Sequence, residues 1–313
     1  MKKDFLSIDD ITKNEIFNVL DLAVELKKKP IRNLLSGKVL CLLFEKPSTR
    51  TRVSFESGIN QLGGSAIYLD ATTTQISRGE SVEDTAKVLD RYVDAIIARV
   101  FSHKTLEIMS KHTNAHVINA LSDLEHPCQI LSDLLTIRER FHDFESLKLV
   151  YIGDGNNVCN SLILGCAKVG IDIAVACPKG YEPNRNTIEL ARNYTKVSKS
   201  RVIVGTEPKE MVKDANIIYT DTWVSMGQES EKKERIRIFK PKYQINNKLF
   251  KIAASDVVFM HPLPAYRGKE VTSDIIDGPR SIVFDQAGNR LPVQKALLVK
   301  MMVSGRGPLS TRL

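Results

Sequence analysis

The chain has few cysteines and no long apolar run. Its five cysteines are an odd number, scattered through 313 residues, and no two have C-x-x-C spacing. This pattern argues against a disulfide framework and a zinc knuckle, so we expect reduced thiols in a cytoplasmic protein. No stretch approaches the ~18 consecutive apolar residues that a membrane span requires. The polar N-terminal segment also lacks the apolar centre of a signal peptide, so none is expected.

The chain also lacks a concentrated basic region. The formal net charge is +8, but the basic residues are not clustered with the aromatic residues, which make up only 6%. We therefore do not expect a nucleic acid partner, and the excess positive charge would instead attract small anionic substrates. With 42% hydrophobic and 26% charged residues, the composition is that of a globular protein. The length is sufficient for two α/β domains.

Strand and helix patterns alternate along nearly the whole chain. Short apolar runs predict buried strands at 39–44, 66–69, 95–100, 117–120, 147–152, 171–176, 202–204, 217–220 and 257–260. Helical periodicity is present at 11–27, 53–62, 82–91, 127–141, 158–169 and 291–303, and the charged run 229–235 suggests a solvated helix face. Strands separated by crossover helices predict parallel sheets with helices on both faces. Because the alternation pauses near residue 140, we predict two doubly wound parallel-sheet α/β domains linked by helices.

The strand-to-helix turn at residues 47–52 has the composition of a phosphate site. Unsatisfied amide groups and the positive end of the helix dipole coincide at a helix N-terminus and favour an anion. Ser48, Thr49 and Thr51 add hydroxyl donors, while Arg50 and Arg52 add guanidinium groups suited to phosphate oxygens. A single serine or threonine would be explained by helix capping alone. Three hydroxyls and two arginines in one turn favour phosphate binding.

Polar side chains also follow the other predicted strands. They are Arg99, Asn119, His126, Gln129, the segment 153–157, the segment 221–227 and His261. Because functional groups gather outside the carboxyl ends of parallel strands, we expect one cleft between the two domains. His126 and Gln129 flank the start of a helix that Pro127 fixes, so both side chains should face one spot.

A dinucleotide site is the alternative interpretation of the segment that begins Gly153-Asp154-Gly155. Val158 stands where the third glycine of that fingerprint belongs, and no acidic residue follows the next strand. Dinucleotide binding is therefore not favoured.

Three motifs together resemble the aspartate/ornithine transcarbamylase family. They are Ser-Thr-Arg-Thr-Arg at 48–52, His-Pro-Cys-Gln at 126–129 and Asp-Thr-Trp-Val-Ser-Met-Gly at 221–227. The similarity extends over nearly the whole chain, including residues 284–294. The first motif marks the family, and the Ser-Met-Gly loop marks its ornithine branch.

The resemblance implies an enzyme that transfers the carbamoyl group of carbamoyl phosphate to the δ-amine of ornithine, giving citrulline and phosphate in arginine metabolism. It implies a carbamoyl phosphate-binding domain at 1–140, an ornithine-binding domain at 141–290 and a C-terminal helix, 291–313, that returns to the first domain. No metal or organic cofactor would be required. A homotrimer or a larger trimer-based assembly is implied, in which Gln75 reaches a phosphate in the neighbouring subunit's site.

The resemblance also implies the site residues. Those for carbamoyl phosphate are Ser48, Thr49, Arg50, Thr51, Gln75, Arg99, His126, Pro127, Cys128, Gln129, Pro262, Leu263 and Arg290. Those for ornithine are Asn157, Asp221, Ser225 and Met226. The catalytic candidates are Arg50, Arg99, His126, Gln129 and Pro262. Arg99, His126 and Thr51 would hydrogen-bond the carbonyl oxygen. Gln129 and the backbone carbonyl of Leu263 would hold the carbamoyl NH₂ group.

One position departs from the pattern of the ornithine branch. That branch carries His-Cys-Leu-Pro, whereas residues 261–264 are His-Pro-Leu-Pro, the string of the aspartate branch. Proline offers neither a thiolate nor a backbone N–H beside the reacting amine. Alternative acceptors (aspartate, putrescine or an N-acylated ornithine) and a non-catalytic paralogue therefore stay open.

Overall fold

The computed structural model describes residues 1–29, 31–224 and 227–303 of the chain. Two compact units are present. The first contains Met1–Ser122 together with the described residues from Arg290 to Val303, and the second contains Asp123–Asn289.

The strands of the described residues form two parallel sheets, one in each unit. They are β1 Val39–Phe44, β2 Ser65–Asp70, β3 Ala95–Arg99, β4 His116–Leu121, β5 Lys148–Ile152, β6 Asp172–Ala176, β7 Val202–Gly205, β8 Ile217–Tyr219 and β9 Val258–Met260. The strand order is β2-β1-β3-β4 in the first sheet and β7-β6-β5-β8-β9 in the second.

Helices connect and cover these strands. Those of the described residues are α1 Lys13–Lys28, α2 Thr49–Gln61, α3 Val82–Leu89, α4 His103–His112, α5 Pro127–Phe141, α6 Asn157–Val169, α7 Arg185–Ser198, α8 Pro208–Met211, α9 Lys232–Tyr243, α10 Asn247–Phe250, α11 Ser273–Ile276, α12 Val283–Gly288 and α13 Arg290–Met302. The fold class predicted from the sequence, two parallel-sheet α/β domains, is confirmed.

In the first unit, the central strand β1 is an almost wholly buried apolar run, as expected for a parallel strand covered on both faces. The C-terminal helix α13 packs against α1 and α2. Gly58 on α2 makes this approach possible, because a Cβ atom there would lie 3.3 Å from Lys295 Cγ. The predicted return of the C-terminal helix to the N-terminal half is therefore observed.

In the second unit, α5 packs against α6 at Gly165, where a Cβ atom would lie 2.6 Å from Ile130 Cγ2. The sequence predicted α5 with its observed bounds. Helices α4 and α7 were not predicted, because most of their residues are polar and only two residues of each are buried. The ligand-based domain ranges stay a prediction.

All five cysteines are buried free thiols. Burial raises the pKa of Cys41 and of Cys177 to about 12, which disfavours their thiolates. Within the described residues, every helix is too short or too polar to cross a bilayer.

Candidate active site

The predicted phosphate turn lies at the N-terminus of α2. Ser48 is the N-cap, and its Oγ accepts the backbone N–H of Thr51 at 3.4 Å and donates to Thr51 Oγ1 at 3.0 Å. Helix α2 begins at Thr49, so the amides of its first turn have no acceptor within the helix. The turn therefore combines backbone amides, hydroxyls and the positive helix end, a combination that favours an anion.

Arg290, the first residue of α13, belongs to the same site. Its Nη2 donates to Thr51 Oγ1 at 2.8 Å, and both side chains are buried. The contact places a guanidinium group at the turn. Arg99 ends the neighbouring strand β3, and its carbonyl oxygen accepts the N–H of Glu45, just before the turn.

Arg52 does not join these residues. Its guanidinium pairs with Glu56 at 3.0 Å and stacks over the Tyr68 ring at 3.8 Å. The expectation that Arg52 adds a phosphate donor is therefore not supported by its contacts. Gln75 lies on a short 3-10 helix and is exposed.

His126 and Gln129 stand at the start of α5, as predicted. His126 is the N-cap, its backbone N–H donates to Ser161 Oγ at 2.9 Å, and Pro127 begins the helix. Both predicted side chains are at least 95% buried, and Cys128 between them is wholly buried. The Gln129 Nε2 donates to Asp133 Oδ1 at 2.8 Å, one helical turn further along.

The buried Asp133 carboxylate accepts hydrogen bonds from several side chains. Its Oδ1 also accepts Gln286 Nε2 at 2.8 Å, and its Oδ2 accepts the Tyr219 hydroxyl at 2.9 Å. Burial, and next the negative charge of Asp133, raises the pKa of Tyr219 well above its ordinary value. Tyr219 is therefore a neutral donor and takes no part as a phenolate.

The segment after β9 carries Pro262 and Leu263. The Leu263 backbone N–H donates to His261 Nδ1 at 2.9 Å, and Leu263 has a left-handed φ of 55°. That conformation is unfavourable for a leucine, so the hydrogen bond to His261 helps to hold it. Pro262 is buried between them, and the Leu263–Pro264 peptide bond is cis.

Asn157 and Asp221 mark the predicted ornithine side. Asn157 is the first residue of α6, and the preceding Asn156 donates through Nδ2 to Asp221 Oδ2 at 2.8 Å. Burial raises the pKa of Asp221, while His261 and the Asn156 hydrogen bond oppose the rise. Ser225 and Met226, the two other predicted ornithine residues, lie outside the described residues.

An ion pair that the sequence analysis missed holds the segment just before Ser225. Arg235 on α9 donates through Nη1 to Asp154 Oδ2 at 2.7 Å and to the Trp223 carbonyl at 3.1 Å. Arg235 is only 6% exposed, so the solvated helix face predicted for residues 229–235 is wrong at this position. Burial raises the pKa of Asp154, and the Arg235 charge opposes that rise.

Comparison with known proteins decides the family. The model of the aspartate/ornithine carbamoyltransferase carbamoyl-P binding domain matches residues 3–139, and that of the Asp/Orn binding domain matches residues 145–301. The chain belongs to the aspartate/ornithine carbamoyltransferase family. The resemblance seen in the sequence motifs is thereby confirmed.

Members of the family from bacteria and an archaeon are similar over nearly the whole chain. The ornithine carbamoyltransferase of Listeria innocua is 50% identical over 302 residues, which cover 96% of each chain. That of Anoxybacillus flavithermus is 51% identical over 304 residues, again 96% of each. The structure of the Pyrococcus furiosus ornithine carbamoyltransferase superposes with a TM-score of 0.93 at 49% identity, covering 97% of this chain and 98% of that one.

Within each unit the structure brings some of the predicted residues into contact or into one path of hydrogen bonds. Ser48, Thr51 and Arg290 are in contact in the first unit. In the second, Gln129 is linked through Asp133 and Gln286 to the segment that carries Leu263. Sequence reasoning missed Asp133 and Gln286. For Asp133 a signal was available, because it lies four residues after Gln129 on one helix face.

Proposed function

We propose that this chain is an ornithine carbamoyltransferase, which converts carbamoyl phosphate and L-ornithine to L-citrulline and phosphate. The observation that carries the proposal is the ~50% identity to ornithine carbamoyltransferases over 96% of the chain. The anion site at the N-terminus of α2 supports it, because carbamoyl phosphate needs such a site for its phosphate.

Carbamoyl phosphate is bound mainly through its phosphate and its carbonyl oxygen. Ser48, Thr49, Arg50 and Thr51 bind the phosphate, and Arg290 contacts the same ligand. Arg99 and His126, with Thr51, donate hydrogen bonds to the carbonyl oxygen, where negative charge develops during attack. One well-placed donor of this kind typically contributes about 3–4 kcal/mol to transition-state stabilisation.

The carbamoyl nitrogen and the amino acid are recognised by other groups. Gln129 and the Leu263 carbonyl accept hydrogen bonds from the carbamoyl NH₂, and Pro127, Cys128 and Pro262 complete the surroundings. Asp221 pairs with the α-ammonium group of ornithine. Asn157, Ser225 and Met226 bind its α-amino and α-carboxylate groups. The carbamoyl phosphate-binding domain 1–140 and the ornithine-binding domain 141–290 are part of this proposal, with Pro262, Leu263 and Arg290 reaching carbamoyl phosphate from outside the first range.

The reaction is a direct transfer. The neutral δ-amine forms a C–N bond to the carbamoyl carbon, the bond from that carbon to the bridging oxygen breaks, and phosphate leaves with the electron pair. The attacking nitrogen, which is positively charged once the bond has formed, gives its proton to the departing phosphate, so that atoms and charge balance. The side chains proposed for this site supply positioning and charge stabilisation, without a covalent intermediate or a required cofactor.

We also propose a trimer-based assembly with shared sites, a cytoplasmic location and a role in arginine biosynthesis. Gln75 is exposed, as a residue that reaches a neighbouring subunit must be. The edge strand β2 carries Ile67, which is 49% exposed and available for a second copy. The buried free thiols suit a reducing compartment.

A second candidate is transfer to another amine, and the observation that favours it is Pro262. The purified chain should be supplied with carbamoyl phosphate and, in separate reactions, ornithine, aspartate, putrescine or N-acetylornithine. We expect citrulline formation to exceed carbamoylation of every other acceptor at least 100-fold. Preference for another acceptor would refute ornithine as the substrate. Carbamoyl phosphate binding without any transfer would identify a non-catalytic paralogue.

A further inference from the structure

The orientation of the Gln129 side chain is fixed by Asp133. The two residues lie on one face of α5, and Gln129 Nε2 donates to Asp133 Oδ1 at 2.8 Å. An ionised carboxylate only accepts hydrogen bonds, so it must face the NH₂ edge of the glutamine amide. The opposite edge, Oε1, is thereby turned away from Asp133. Gln129 can then act as an acceptor for a ligand N–H, which a flipped amide could not do.

Gln286 continues the hydrogen-bond chain beyond Asp133. Its Nε2 donates to Asp133 Oδ1 at 2.8 Å and to the Tyr219 hydroxyl at 3.0 Å. Its Oε1 accepts the backbone N–H of His261 at 2.9 Å. Asp133 and Gln286 are wholly buried, where each hydrogen bond is stronger and each unsatisfied group is more costly. The orientation of the Gln286 amide is therefore fixed at both ends.

His261 extends the chain to Leu263. Its Nδ1 accepts the Leu263 backbone N–H at 2.9 Å, so the imidazole carries its proton on Nε2, which lies 3.5 Å from Glu270 Oε1. This hydrogen bond fixes the peptide plane before Leu263, whose left-handed φ of 55° sets where its carbonyl points. A continuous path of hydrogen bonds thus joins Gln129 to Leu263 through Asp133, Gln286 and His261.

We infer that Asp133 and Gln286 are positioning residues that aim two acceptors, Gln129 Oε1 and the Leu263 carbonyl, at the two N–H groups of the carbamoyl ligand. The inference rests on the proposed function and extends it to ligand selectivity. A carbamoyl group offers two N–H donors, whereas an acetyl group of the same shape offers a methyl group. The path therefore determines the preference for a carbamoyl over an acetyl phosphate, and phosphate binding itself does not depend on it.

Two stable ligands isolate this effect. Phosphonoacetamide and 2-oxopropylphosphonate differ only in NH₂ against CH₃, and neither is consumed by the enzyme. Their dissociation constants should be measured by calorimetry for the full-length wild type, Asp133→Asn and Gln286→Met. We expect each variant to lower the preference for phosphonoacetamide about tenfold, the loss expected for a hydrogen bond. The affinity for 2-oxopropylphosphonate should stay within about twofold of the wild-type value.

Thr136→Val is the matched control. Thr136 lies on the same helix as Asp133 and is 3% exposed. Its substitution removes a buried hydrogen bond from Asn289, but Thr136 is not part of the hydrogen-bond path from Gln129 to Leu263 described above. Its ligand preference should equal that of the wild type. In a Gln129→Met background, Asp133→Asn should have no further effect, because the amide that it orients is gone.

The inference is overturned if both variants keep the wild-type preference, or if they weaken the two ligands equally. Should Asp133→Asn not fold, Gln286→Met, which keeps the side-chain volume, decides alone. If the wild type forms citrulline but the variants keep its ligand preference, only the positioning role is refuted. A wild type that forms no citrulline refutes the proposed function.

Discussion

Arg290 Nη2 donates a 2.8 Å hydrogen bond to Thr51 Oγ1 across 239 positions of the chain. The first residue of the C-terminal helix α13 thereby contacts the first turn of α2, the proposed phosphate site. Both side chains are buried, so the contact is shielded from solvent and the guanidinium is held in one geometry.

Replacing Arg290 by lysine should weaken carbamoyl phosphate binding. Lysine keeps the charge but loses the planar fork that reaches Thr51 and a phosphate oxygen together. We expect the KM for carbamoyl phosphate to rise about tenfold, with a smaller fall in kcat, because the lost contact is made in the ground state as well. Steady-state kinetics at saturating ornithine measure both constants.

Arg185→Lys is the control for this substitution, since Arg185 is exposed on α7 and pairs with Glu189 one turn away. Its kinetic constants should match the wild type. Unchanged carbamoyl phosphate kinetics in Arg290→Lys would show that Arg290 has only a structural role.

Replacing Arg235 by methionine should destabilise the protein. The substitution leaves the buried Asp154 carboxylate without its guanidinium partner, and removal of one partner of a buried pair typically costs about 3–5 kcal/mol. Loss of the Trp223 carbonyl contact should also raise the KM for ornithine, because that carbonyl lies just before Ser225. Urea denaturation and steady-state kinetics test the two effects.

The loss of stability caused by Arg235→Met should depend on pH. Without Arg235, burial raises the pKa of Asp154 further, so the folded state binds a proton more readily than the unfolded chain. Stability lost at pH 7.5 should therefore return in part at pH 5. The double variant Asp154→Asn/Arg235→Met should recover most of the lost stability at both pH values. Arg267→Met, which breaks an exposed ion pair, should have little effect on stability at either pH. A deficit that is independent of pH would contradict this account.

Introducing the cysteine of the ornithine branch at Pro262 should move the pH–rate profile. With proline at this position, no thiolate is supplied by residue 262 and the attacking amine must lose its proton without one. We expect Pro262→Cys to reach half-maximal kcat about one pH unit lower than the wild type. Pro262→Ala, which removes the ring without adding a thiol, should keep the wild-type profile. Superimposable profiles for the wild type and Pro262→Cys would argue against the prediction.

Asp90 should contribute to stability above pH 4 and lose that contribution in acid. Hydrogen bonds from the Thr113 hydroxyl, and then from Asn114 and Ala115, lower the pKa of Asp90 from its ordinary value of 3.8 to about 2. The folded state therefore favours the carboxylate, and the stabilisation disappears as the pH falls from about 4 to about 2.

Asp90→Asn should accordingly be less stable than the wild type at pH 7 and lose less stability between pH 4 and pH 2. Asp256→Asn, at an exposed carboxylate, serves as the control and should follow the wild type in this window. Chemical denaturation at a series of pH values measures the slopes. If the unfolding free energy of Asp90→Asn and that of the wild type change equally with pH in this window, Asp90 does not contribute to the loss of stability in acid.

Local patterns in the sequence were sufficient for the strands and for most of the long helices. Helix α5 has a proline at its first position and an unbroken apolar face, and its bounds were predicted without error. Helix α7 was missed because most of its residues are polar, and only Thr187 and Ala191 are buried. Arg235 was misplaced on a solvated face because its partner Asp154 lies 81 positions away.

The sequence by itself determined the α/β class, the strand-to-helix turn before α2 that we propose as the phosphate site, and the residues that match the family. Each of these depends on neighbours within a few positions or on a motif. Only the tertiary structure decided that Arg290 contacts Thr51, that Arg52 turns to Tyr68, and that Asp133 and Gln286 join Gln129 to Leu263. Those contacts link segments far apart in the chain, and the geometry of a hydrogen bond exists only once the sheets and helices have packed.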